Sequence, residues 1–154
     1  MDKNALTVLK VDVQAQMTAI AKISVLVEER SLGLTADDPV RLESVAYQIH
    51  NLYNAAEDLL KLVAAHFENQ ISDTVRWHTA LLQRMSQEIP GTRPALLSEE
   101  SYILLNSLRG FRHFFRHAYG VPIDYSQLQI NLDKARQLRA CLEQDIERFL
   151  NSLQ

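Results

Sequence analysis

Cysteine is nearly missing from this chain of 154 residues, where Cys141 stands alone. One thiol excludes an internal disulfide framework and any cysteine-rich zinc site. Its setting in the helical stretch LRACLEQD predicts an ordinary buried thiol. Glycine and proline number four each. They gather mainly at 33–39, 90–94 and 120–122, which read as breaks between helices. No apolar run approaches the roughly 20 residues of a membrane span. The start, MDKNALTVLKVDVQ, sets charges too close to its apolar residues for a signal peptide. There is no useful period-two alternation, no internal repeat and no low-complexity tract. A glycine-rich phosphate loop, a Gly-x-Ser-x-Gly elbow and a His-Glu-x-x-His zinc motif are also missing, so neither a metal nor a cofactor is expected. A soluble cytoplasmic protein is the expectation. The formal net charge of -3 removes overall attraction to nucleic acid, so any such contact must be local.

What remains is ordinary globular composition, 47% hydrophobic and 23% charged, patterned throughout as helix. Leu6, Leu9, Val13, Met17, Ile20, Ser24 and Val27 mark one stripe over about 4–31. A second helix opens with Asp38 as cap and Pro39 in its first turn. It runs to about Asn69 with Leu42, Val45, Ile49, Leu52, Ala56, Leu59, Val63 and Phe67 inward. A shorter third is predicted over Asp73 to Glu88, with Val75, Leu81, Leu82 and Met85 apolar. Ser98 can cap a fourth that ends at Gly120, in the left-handed turn that follows many helices. The last spans about Ser126 to Leu153, with Leu128, Leu132, Ala135, Leu138, Leu142, Ile146, Phe149 and Leu153 inward. The pattern predicts an all-α, up-and-down bundle of four main helices plus a shorter one, a single domain over 1–154.

The fourth helix closes on LRGFRHFFRHAYG, residues 108–120, with three arginines and two histidines among three phenylalanines. At 100° per residue, Leu104, Leu108, Phe111, Phe115 and Ala118 share a core-facing stripe. Arg109, Arg112, Arg116 and Tyr119 project from another side, with His113 and His117 beside that row. A plain amphipathic helix would look similar. Two details point further. Gly110 lies inside the helix, where glycine costs about 1 kcal/mol relative to alanine, which suits close approach of a backbone or ligand. No acid lies between Glu100 and Asp124, so the cations have no local partner. An anionic ligand would suit them, as would Glu57 or Asp58 across the bundle. On the second helix, His50, Tyr53, Asn54 and Glu57 form a polar set. Asn54 and Glu57 are candidates to line a cleft opposite Arg112, although a structural role is the commoner reading. His66 and His78 read as structural or exposed, and Trp77 as core or interface.

The run Arg112-His-Phe-Phe-Arg-His117-Ala-Tyr119 resembles Arg-x4-His-x-Tyr, the signature of the HEPN superfamily as found in HepT-like toxins. Gly110-Phe111 before it and Gly120-Val-Pro-Ile-Asp124 after it are similar too, as is the bundle with the motif near the end of its penultimate long helix. In a chain of this composition the three-residue pattern arises by chance on the order of 0.01 times. Many relatives carry asparagine directly after the arginine, where this chain has His113. The resemblance implies a HEPN-like fold and a metal-independent ribonuclease that forms homodimers. It further implies a toxin paired with a small nucleotidyltransferase antitoxin of the MNT type, which silences it by AMPylating the motif tyrosine. Arg112 and His117 would then be catalytic and Tyr119 the modified residue.

The chemistry agrees with those residue types. Metal-free RNA cleavage needs proton transfer and charge stabilisation at phosphorus. Histidine exchanges protons near neutrality, and arginine offers phosphate a permanent charged fork. His117 is therefore assigned proton transfer, Arg112 the phosphorane, and Arg109, His113 and Arg116 the flanking phosphates. On a regular helix Arg112 and His117 diverge by about 140°. A two-fold dimer can bring two copies of the motif into one shared cleft. The alternative is a non-catalytic substrate-binding or partner subunit of a nucleotidyltransferase, which needs the basic surface but no proton-transfer group.

Overall fold

A computed structural model describes residues 1–68, 77–117 and 120–153, with the side chains of Arg116 and His117 outside that description. Five helices follow in chain order: α1 Lys3–Ser31, α2 Pro39–Phe67, α3 Trp77–Met85, α4 Glu99–His117 and α5 Tyr125–Ser152. The described residues form no strand. The fold is the all-α, up-and-down bundle expected from the sequence, four long helices and one short one.

The four long helices start where a side chain can accept from their unpaired amides. Asp2 accepts from Asn4 N–H at 2.7 Å, Asp38 from Arg41 N–H at 3.1 Å, and Asp124 from Gln127 N–H at 3.1 Å. Ser98 accepts from Ser101 N–H at 3.2 Å. Asp145 of α5 in turn accepts from the backbone and hydroxyl of Ser98, at 3.0 and 3.1 Å. The start of α4 is thereby pinned to α5. At the other end Gly120 has φ of +71°, the left-handed turn expected there, and the chain soon enters α5.

The predicted stripes are the core. Leu9, Val13, Ile20 and Val27 of α1 meet Leu42, Val45, Ile49, Leu52, Leu59 and Val63 of α2. Leu104, Leu105 and Leu108 of α4 and Leu128 to Phe149 of α5 complete it. The helix α2 touches all four others, so its buried surface wraps well round the cylinder, including Tyr53, Ala55, Glu57 and Leu60. The short α3 lies against α2 and α4.

Two expectations are adjusted, and a third falls outside the described residues. The predicted start of α3, with Val75, lies outside the described residues, and its last turn ends at Met85 rather than Glu88. The Met85 carbonyl accepts from both Leu96 and Leu97 N–H at 3.0 Å, which turns the chain out of the helix. Cys141 is half-buried, not buried. Desolvation against the core, reinforced by Glu100, still pushes its thiol up to about 11.

Candidate nucleic-acid interface

Within α4 the helical register separates three surfaces. Leu104 and Leu108 are buried, and Phe111 and Phe115 half-buried, their rings stacked at 6.5 Å. Phe114 points outward at 47% exposure. His113 is exposed, while Arg109 and Arg112 are half-buried on the side nearer α2. Ala118 and Tyr119, and the side chains of Arg116 and His117, lie outside the described residues.

The polar stripe of α2 faces this arginine pair. Arg112 Nε donates to Asn54 Oδ1 at 2.8 Å. The same amide approaches His50 Nε2 through Nδ2, at 3.1 Å. With the amide oxygen taken by arginine, Nδ2 must donate, so His50 Nε2 accepts. The His50 ring also packs on Phe115, centroids 5.3 Å apart. Arg109 bends to Asn106, with Nε and Nη2 on Oδ1 at 3.2 and 3.0 Å. Among the described residues neither guanidinium has a carboxylate within ion-pair distance. Glu57 and Asp58, the alternatives considered from sequence, are approached by Lys61 instead, at 3.9 and 3.8 Å. Of the two residues thought able to line a cleft opposite Arg112, Asn54 does contact it.

Beside Asn54 on α2, Tyr53 is fully buried and its hydroxyl donates to Glu57 Oε2 at 2.8 Å. Burial, and then the Glu57 carboxylate, hold that hydroxyl far above its ordinary acidity range. Arg109 and Arg112 act in the opposite direction, so the positive field of the pair reaches the Tyr53–Glu57 contact. Glu57, only 3% exposed, also meets His78 Nδ1 of α3 at 2.6 Å. The sequence offered no local signal for this pair, because its members are 21 residues apart on different helices. The one hint was a carboxylate embedded in the buried run of α2.

An open hollow of about 820 Å³ lies elsewhere, between the start of α2 and the α4–α5 turn, lined by Tyr47, Phe114, Phe115, Val121 and Ile123. It carries the carboxylates Asp37 and Glu43 and neither Arg109 nor Arg112, which makes it unsuited to phosphate. The arginine–asparagine face is the better anion site. Gly110 is exposed, and a Cβ placed there would meet no heavy atom within 4 Å. Nothing among the described residues requires glycine at that point.

A family model described as HepT-like protein matches residues 44–153, more than two thirds of the chain, from within α2 to the end of α5. No curated protein and no solved structure matches at a comparable standard. No helix among the described residues is long and apolar enough to cross a membrane.

Proposed function

Because the chain belongs to the HepT-like family of the HEPN superfamily, we propose that it is a metal-independent RNA endonuclease acting as the toxin of a toxin–antitoxin pair in the cytoplasm. Family membership supports a ribonuclease toxin in general terms. The observation that carries the more specific reading is the state of Arg112. It is half-buried, oriented by a neutral amide, and has no carboxylate partner among the described residues, in a protein of net charge -3. A guanidinium held at Nε keeps its two terminal nitrogens for a bidentate phosphate contact.

In this reading Arg112 stabilises the negative charge that builds on phosphorus, and His117 of the same motif transfers a proton. Arg109, His113 and Arg116 hold neighbouring phosphates and read no bases. A homodimer completes the cleft. The partner is a small nucleotidyltransferase of the MNT type, which attaches AMP to Tyr119. Added bulk and negative charge beside the arginines then exclude RNA.

Expression in cells tests the proposal. Wild type is expected to arrest growth, and purified protein to cut single-stranded RNA in EDTA. His117→Ala should lower that cleavage by about 10²–10⁴-fold. Tyr119→Phe should remain toxic in the presence of the nucleotidyltransferase; silencing of this variant by nucleotide transfer would identify another acceptor. A wild type that neither arrests growth nor cuts RNA, yet binds the nucleotidyltransferase, would instead establish the non-catalytic partner subunit.

A further inference from the structure

Cleavage through the 2′-hydroxyl requires two proton movements. One group removes the hydroxyl proton as O2′ bonds to phosphorus, and another protonates the 5′-oxygen as the P–O5′ bond breaks. The motif on α4 assigns one histidine of each protomer to this work, and another group can share it. The described residues hold one buried carboxylate bonded to a histidine. Glu57, 4% exposed at its side chain, contacts His78 Nδ1 at 2.6 Å, and His78 keeps 23% of its side chain open to solvent. A deprotonated carboxylate only accepts, and its Oε2 also accepts from Tyr53 at 2.8 Å. The proton of the His78 contact therefore sits on Nδ1, and Nε2 is the nitrogen left to exchange protons. A carboxylate fixing the tautomer of a base is the arrangement that nucleophile-activating sites use.

We propose that His78 is a second proton-transfer residue of the same site, the base for the 2′-hydroxyl, and that Glu57 is its positioning residue. The inference rests on the ribonuclease reading above. Its surroundings fit. From α2, Tyr53, Glu57 and Lys61 surround the pair, with Lys61 Nζ 3.9 Å from Glu57 and 4.1 Å above the Trp77 ring. From α4, Arg112 is held by Asn54 at 2.8 Å, and Asn54 lies three residues, nearly one turn, before Glu57 on α2, so a phosphate on Arg112 lies near the same carboxylate network. Trp77 packs on the His78 ring, centroids 3.8 Å apart and planes tilted by 32°. A buried carboxylate is costly unless paired and hydrogen-bonded, and Glu57 is both.

The pH dependence of kcat and KM on a single-stranded RNA tests this directly. Wild type should give a bell-shaped profile. His78→Gln should lose about 10²-fold or more in kcat, with little change in KM, and should lose the ascending acidic limb. Glu57→Gln should displace that limb. Imidazole added to His78→Ala should restore part of the rate. An unchanged profile in a folded His78→Gln overturns the inference and leaves the ribonuclease reading intact; no cleavage by wild type overturns both. A further measurement needs no variant. Trp77 is the only tryptophan, and its emission senses the imidazole packed against it. Binding of a 2′-deoxy oligonucleotide, followed independently by anisotropy, should shift the pH midpoint of that emission. Binding with no shift overturns the assignment of His78.

Discussion

At the scale of single residues, what holds an arginine decides what it can do. A guanidinium paired with a carboxylate has its charge neutralised inside the protein; one held by an amide is aimed and stays a cation for a ligand. Asn54 does the second for Arg112, through the 2.8 Å contact at Nε. Asn54→Asp keeps the size of the side chain and supplies the missing negative charge. Binding of a 2′-deoxy oligonucleotide is then expected to weaken by roughly tenfold, equivalent to one charge-assisted hydrogen bond of about 1.5 kcal/mol. The thermal midpoint should change little, since the new ion pair is offset by loss of the Nδ2 donor to His50. Anisotropy titration beside a thermal melt reads both. Equal affinity in the variant would place the phosphate away from Arg112. Gly110 gives a second residue-level contrast. With open space where an alanine methyl group would sit, Gly110→Ala should stabilise the isolated fold by up to about 1 kcal/mol. Loss of stability in urea melts would mean that another backbone already packs there.

At the scale of elements, the five helices were readable because each buries one stripe of apolar side chains at helical spacing, and the expected caps Asp38 and Ser98 do start α2 and α4. The end of α3 was not readable. The turn that follows it is held by Arg93, whose side chain is fully buried there. Its guanidinium donates to Glu68 at 2.6 Å, to the carbonyls of Gln87 and Pro94 at 2.8 and 3.0 Å, and to Arg84 O at 3.0 Å. Glu68, just past α2, also accepts from Arg84 at 2.6 Å. This one side chain ties α2, α3 and the approach to α4 together, and no local periodicity encodes such a contact. Arg93→Ala leaves Glu68 buried with fewer partners and several carbonyls unmet. A loss of about 3–5 kcal/mol in urea unfolding is expected. A cost below about 1 kcal/mol would show that the turn holds by packing alone. The consequence reaches function, because α3 carries His78.

At the scale of the whole molecule, the sequence marked the α4 side of the proposed site and little of what faces it. A motif on one helix is visible as spacing, whereas the Asn54–Arg112 and Glu57–His78 contacts join residues 58 and 21 positions apart and exist only once the bundle is packed. The proposed dimer would likewise join residues that no local spacing connects. Arg112 and His117 point about 140° apart on a regular helix, so a cleft shared across a two-fold axis would pair Arg112 of one protomer with His117 of its partner. That geometry makes a quantitative claim. Arg112→Ala and His117→Ala should each be inactive alone. Mixed and allowed to exchange subunits, half of the dimers become heterodimers. Each of these holds, within the shared cleft, one doubly damaged Arg112–His117 pair and one intact composite pair. Activity should therefore recover to about a quarter of wild type. If each cleft takes both residues from a single chain, every cleft in the mixture remains damaged and no activity returns. Single-turnover cleavage of a labelled RNA after refolding the mixture separates these outcomes, with mixed wild type as the reference. Recovery near a quarter also requires that the dimer be the catalytic unit, since isolated protomers of either variant cannot contribute.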